Sequence, residues 1–130
     1  MTVEISRKHI ATLTHWASVA QPREACGLLF GEAARIAEVS LCANVAADPL
    51  RHFEIDPAAL FAALRAERAG GPKLIGYWHS HPSGKPTPSA TDRAMAAPDG
   101  KYWLIVADGD VALWRASPTG LIASDLVIAG

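Results

Sequence analysis

Lys73-Leu74-Ile75-Gly76-Tyr77-Trp78-His79-Ser80-His81-Pro82, followed after a proline-rich loop by Ser89-Ala90-Thr91-Asp92, is the stretch on which the reading of this 130-residue chain turns. Residues 73–78 read as a strand. Side chains in a strand alternate faces, so His79 and His81 project to one side while Trp78 points the other way, into a core. Ser89 opens a helix and Asp92 stands three residues on in its first turn, a capping box with Asp in place of Glu. A strand end and a helix start that meet at a loop can bring His79, His81 and Asp92 to one point. Two neutral nitrogens and one carboxylate make a three-ligand set suited to Zn²⁺ with a fourth position open, the condition for metal-assisted hydrolysis. Read from these residues alone, the same features also fit a polar strand edge followed by an ordinary Ser-capped helix.

Working outward, the pattern is α/β. Residues 3–5 form a short strand, and Ser6 caps a helix whose Ile10, Leu13, Trp16, Ala17 and Ala20 recur at helical spacing until Pro22 stops it. Residues 25–31 read as a buried strand and 36–42 as its partner, joined by a turn around Gly31-Glu32. After a loop over 43–50, a third short strand is expected at 52–55. Asp56-Pro57 is an N-cap with proline at the first helical position, and the helix runs to about residue 69 with Leu60, Phe61 and Leu64 inward. Its last turn, Glu67 and Arg68, reads as solvated. Gly70-Gly71-Pro72 ends it. The short helix from Ser89 runs to about residue 97, 102–107 and 111–115 pair as a hairpin across Asp108-Gly109-Asp110, and 121–128 is the last strand.

Composition narrows the class. Half the residues are hydrophobic and 19% are charged, which argues for one compact domain over residues 1–130 and against disorder. The net charge is −1, with no basic run, so no nucleic-acid partner is expected. No stretch approaches the ~20 apolar residues of a membrane span, and the first eight residues lack a signal core, so no membrane association is expected and a cytoplasmic location is. Cys26 and Cys42 are too few for a disulfide framework and read as reduced, buried thiols. His9, His15 and His52 lack partners at ligand spacing and read as structural or surface residues. Lys85 reads as a solvated loop lysine.

His79-Ser80-His81-Pro82 with Ser89 and Asp92 resembles the signature of the JAMM (MPN+) zinc metalloproteases. That family places a glutamate upstream of a Gly-Leu-Leu-Gly-like run, and Glu24 in Arg23-Glu24-Ala25-Cys26-Gly27-Leu28-Leu29-Phe30-Gly31 stands at that position. Asn44, Pro49, Phe53 and Ile55-Asp56-Pro57 are similar to the short bacterial members. The resemblance implies a single mixed β-sheet flanked by helices, the cytidine-deaminase-like JAB/MPN domain. It implies one Zn²⁺ per chain on His79, His81 and Asp92, with Glu24 as general base and the Ser89 hydroxyl stabilising the tetrahedral oxyanion. It also implies cleavage after the C-terminal Gly-Gly of a ubiquitin-fold, sulfur-carrier-like protein, since the chain has no length for the ubiquitin-embracing insertions of eukaryotic relatives. Two other readings stand beside this one. The run from His81 to Ser89 is also similar to the RadC family, sometimes linked to DNA repair, although that family usually has Asn where this chain has Ser80 and the chain has no room upstream for a helix-hairpin-helix module. Many MPN domains are non-catalytic scaffolds, but those lack the ligands that this chain keeps.

Overall fold

The computed structural model describes residues 2–130. Ten elements follow one another in the α/β order: β1 (Thr2–Ser6), α1 (Arg7–Ala20), β2 (Cys26–Glu32), β3 (Arg35–Cys42), α2 (Pro57–Arg68), β4 (Leu74–Ser80), α3 (Ala90–Met95), β5 (Tyr102–Ala107), β6 (Asp110–Ser117) and β7 (Gly120–Ala129). The strands form one mixed sheet in the order β1-β3-β2-β4-β5-β6-β7 that closes on itself, β1 running parallel to β7 over five residue pairs, Thr2↔Asp125 to Ser6↔Ala129. The closing seam on the other side of β1 is short. It pairs with β3 only at Glu4↔Arg35 and Ile5↔Ile36, so residues 37–42 of β3 have a strand partner on the β2 side alone.

β4 is the centre of the sheet, antiparallel to β2 and parallel to β5, and all of it is buried except Tyr77. A strand covered on both faces is hydrophobic throughout instead of alternating. One face packs Trp78 against α1, where it stacks on Trp16 at 5.9 Å and its indole Nε1 donates to Ser40 O at 2.8 Å. Val3, Ile5, Leu13, Leu29, Leu104 and Leu113 complete that core. The other face carries a second cluster, Cys26, Phe53, Trp103, Ala116 and Leu121, with Tyr77 and Trp114 packed against it. Asp108 and Gly109, at φ 47° and 83°, make a two-residue turn between β5 and β6, the left-handed pair that a tight hairpin needs. Among the described residues no helix is long and apolar enough to cross a membrane.

Several sequence expectations need correction. β2 and β3 run on to Glu32 and from Arg35, so the turn is at Ala33-Ala34, and the irregularity at Gly31 is a bulge inside the ladder. The strand expected at 52–55 is reduced to one bridge, Asn44↔Ile55. The Asn44 side chain explains this: it donates to His52 O at 3.0 Å and accepts from Glu54 N at 3.1 Å, taking ladder groups for itself. Phe61 is 63% exposed, because the inward stripe of α2 is Leu60, Ala63, Leu64 and Glu67 and Phe61 lies a hundred degrees round from Leu60. Glu67 is not solvated: its Oε1 accepts Leu74 N at 2.7 Å and fastens the helix to the start of β4.

A Cβ at Gly27 would lie 1.8 Å from Ser40 O and 2.4 Å from Trp78 Nε1. Gly27→Ala is therefore expected to cost at least about 3 kcal/mol, the upper end of overpacking, while Phe61→Ala should change stability by less than about 0.5 kcal/mol. Urea unfolding midpoints of the two variants check both.

Candidate metal centre

Burial and hydrogen bonding, not charge attraction, bring the site together. His79 is completely buried at the end of β4, and its imidazole is stacked on Phe53 (centroids 4.2 Å, planes 15° apart) and met edge-on by Trp103 at 5.8 Å. His81 lies just past the strand, yet its N–H still donates to Val106 O of β5 at 2.8 Å, so the sheet positions it too. Asp92 reaches the same place from α3. The expected capping box is present, with Ser89 Oγ accepting Asp92 N and Asp92 Oδ2 accepting Ser89 N, each at 3.0 Å. That same Oδ2 lies 3.0 Å from His79 Nε2 and 3.2 Å from His81 Nε2, and the two Nε2 atoms are 3.1 Å apart.

Glu24 joins them from two residues before β2. From its local sequence it could pass for an exposed strand-start carboxylate, but it is 6% exposed. Its N–H donates to Pro49 O at 2.8 Å, and its carbonyl accepts Asn44 Nδ2 at 2.9 Å. Next to it, Ala25 and Ser80 exchange two bonds, Ala25 N to Ser80 Oγ at 2.8 Å and Ser80 N to Ala25 O at 3.0 Å. Glu24, His79 and His81 each place one ligand atom within 4.8 Å of the others.

Lys85 O lies 2.9 Å from His81 Nδ1, and a carbonyl only accepts, so Nδ1 carries the proton and the neutral ring offers a lone pair at Nε2. Full burial lowers the pKa of His79 against the pull of Asp92, favouring its neutral form. The pKa of His81 is raised, first by its hydrogen bond with Asp92. Burial alone would raise Asp92, but the hydrogen bonds with both imidazoles outweigh it and hold the carboxylate ionised well below its usual range. In the neutral form of both rings, the form a metal ligand must take, at most one proton is available for three electron pairs within 3.2 Å. A cation shared among them resolves that mismatch, and an N/N/O donor set of this kind suits Zn²⁺. Asp92 and Glu24 both qualify as third donor to the histidine pair. Asp92 is the better placed, because its Oδ2 already faces both rings. Glu24 Oε1 is buried with no hydrogen-bond partner among the described residues, and burial pushes its pKa up to about 7, His81 opposing and Asp92 reinforcing the shift.

The remaining expectations fall out as follows. Cys26 is a buried filler whose thiol burial pushes up to about 12, with Cys42 directly opposite it on β3. The Lys85 side chain is exposed, and the residue contributes its carbonyl instead. His9 bonds to the cap Ser6 at 2.9 Å and His15 is exposed, both away from the site. Three contributors had no role in the site assigned from the sequence. Phe53 and Trp103 frame His79, and Asn44, whose side chain bonds Glu24 O, His52 O, Ala46 N and Glu54 N, ties Glu24 to the segment carrying Phe53. A groove of about 710 Å³ opens from Glu24 between the end of α1 and β3, with Val19 and Leu41 exposed along it.

Residues 6–117 match the family described as prokaryotic homologs of the JAB domain. A Desampylase of Haloferax volcanii is 40% identical over 86 residues, covering 65% of this chain and 62% of that protein. A probable TtuB-protein conjugate cleaving protease of Thermus thermophilus is 35% identical over 88 residues, 68% of this chain and 59% of the other. The chain thus spans less than two thirds of the length of both curated relatives. The solution structure of a Desulfitobacterium hafniense protein superposes with a TM-score of 0.84 at 25% identity over 99% of this chain and 93% of that one.

Asn44→Ala would strip partners from up to four backbone groups, some of them buried. It is expected to destabilise the protein by about 1–3 kcal/mol, measured as the shift of the chemical unfolding midpoint.

Proposed function

This chain belongs to the family of prokaryotic homologs of the JAB domain, and from that we propose a zinc-dependent metallopeptidase that hydrolyses the isopeptide or peptide bond after the C-terminal Gly-Gly of a ubiquitin-fold, sulfur-carrier-like protein. The observation that carries the reading is the convergence of His79 Nε2, His81 Nε2 and Asp92 Oδ2 within 3.2 Å beside the unpartnered carboxylate oxygen of Glu24. The names of the two curated relatives support the substrate class, a protein joined to another through a conjugate bond.

In this reading His79, His81 and Asp92 hold one Zn²⁺, which supplies Lewis-acid activation of water and of the scissile carbonyl. The protein groups do the rest. Glu24, with a pKa of about 7, takes a proton from the attacking water and returns it to the leaving nitrogen as the C–N bond breaks, so that acid and amine are released in balance. A poised carboxylate suits this two-way transfer better than a strongly acidic one. Among the described residues Ser89 Oγ is engaged as acceptor by Asp92 N, and its own proton can donate to the oxyanion. An extended Gly-Gly tail fits the groove that begins at Glu24, beside the part of β3 that lacks a second strand partner.

One Zn²⁺ per chain is expected by elemental analysis, falling sharply in each of His79→Ala, His81→Ala and Asp92→Ala, with the metal-free protein still folded because the ligands ride on sheet and helix. A metal-free wild type would overturn the reading. Glu24→Gln should keep its zinc and lose roughly 10²–10⁴-fold in turnover; loss of zinc in that variant would make Glu24 a ligand in place of base. Mass-spectrometric cleavage of a ubiquitin-fold carrier fused through its tail should proceed with Gly-Gly and slow strongly with Gly-Ala, and equal rates would sink the specificity.

A further inference from the structure

The loop over 82–88 and helix α3 between them deliver two of the three proposed metal ligands, and both are fastened to the same side chain. Trp114, in the middle of β6, donates its indole N–H to Pro86 O at 3.1 Å. Pro86 follows Lys85, whose carbonyl holds His81 Nδ1 at 2.9 Å. The guanidinium of Arg93 lies 6.0 Å from the centroid of the Trp114 ring, and Arg93 follows Asp92. Arg93 also reaches Leu121 O at 3.5 Å, so both of its contacts to the β6–β7 side lie at the long limit of their kind. On the sheet, Trp114 sits directly opposite Trp103, the ring that meets His79 edge-on. Among the described residues, the two side-chain hydrogen bonds to residues 82–88 are those of His81 and Trp114. Ser83, Gly84 and Lys85 are exposed, with Gly84 at φ 126°, so little packing restrains the loop between them.

We propose that Trp114 is a positioning residue for the metal centre, its N–H setting the loop that orients His81 and its ring face setting the start of α3 that presents Asp92. A group bonded directly to a metal ligand is worth ten- to a hundredfold in affinity, and Trp114 acts one residue further out, through the ordering of Lys85 and Asp92, so the lower end of that range is expected. The inference rests on the zinc reading above. It assigns Trp114 no contact with substrate.

Trp114→Phe keeps an aromatic face for Arg93 and the packing against the second core cluster while deleting the N–H. Chelator competition with Zn²⁺, and titration with Co²⁺ followed by its visible absorption, read the site without any turnover. The expected result is a zinc affinity weaker by up to about tenfold and an altered cobalt spectrum, with the melting temperature of the metal-free protein nearly unchanged. Arg93→Met, which removes only the cation, should give a smaller loss in the same direction. If Trp114→Phe lowers the melting temperature of the metal-free protein but leaves zinc affinity and the cobalt spectrum as in wild type, the residue is structural and the inference fails while the zinc reading stands. Wild-type protein that takes up neither metal overturns both.

Discussion

Three electron pairs held within about 3.2 Å in a buried pocket repel one another unless a cation sits among them, and much of this molecule exists to hold them there. Burying an ionised carboxylate is costly unless hydrogen bonds and a counter-charge compensate it. Asp92 Oδ2 accepts a hydrogen bond from the backbone of its own helix cap and faces the Nε2 atoms of both imidazoles. The arrangement works only if neither ring can turn away. For His81 the restraint is the Lys85 carbonyl; for His79, whose Nδ1 has no partner among the described residues, it is the flat face of Phe53.

The sheet supplies the rest by dividing its labour between its two faces. Trp78 and His79 are neighbours in β4 and therefore point in opposite directions, one into the core beneath α1 and the other into the aromatic frame of the site. Ladder pairing then fixes the site's other members. Cys26 opposite His79 puts the chain just before β2, and with it Glu24, beside the ring, and the parallel β5 carries the carbonyl that seats His81. A one-residue slip of β4 against β2 would exchange the two faces, so the register that packs the core is the same register that assembles the chemistry.

How legible this was in the sequence follows from the range of the interactions involved. The strand alternation of 73–79, the Ser89–Asp92 capping box and the Asp108-Gly109 turn are local, and they were readable from spacing alone. The partnership of His79, His81 and Asp92 was a reasoned expectation from a strand end meeting a helix start, and the geometry brings the three together. Glu24 was visible only through family resemblance, because the contacts that bury it come from Asn44 and Pro49, twenty and more residues away. Phe53 and Trp103 carry no chemical signal at all in one dimension. Phe61 misled because an aromatic residue beside an inward position reads as core, when the helical phase places it on the outside. The strand expected at 52–55 failed for a different reason: a side-chain amide can satisfy the backbone groups that a neighbouring strand would otherwise take.

The sheet is closed in its connectivity, but its two seams are far from equal. β1 is laced to β7 through five residue pairs and to β3 through only two, so the ring has a weak link. Fluctuations that leave the rest of the ladder intact should part the sheet there first, letting the β2–β3 hairpin lean away from β1 as a unit. Backbone amides bonded across the β1–β3 seam, at residues 4–5 and 34–36, would then trade their protons for deuterium well before those of β4 and β5, whose burial ties their exchange to global unfolding. Such a hinge lies at the far end of the hairpin from Glu24. Because β2 stays laddered to β4 from Cys26↔His79 to Phe30↔Leu74, such an opening would leave the strand that bears His79 and the neighbourhood of Glu24 in place.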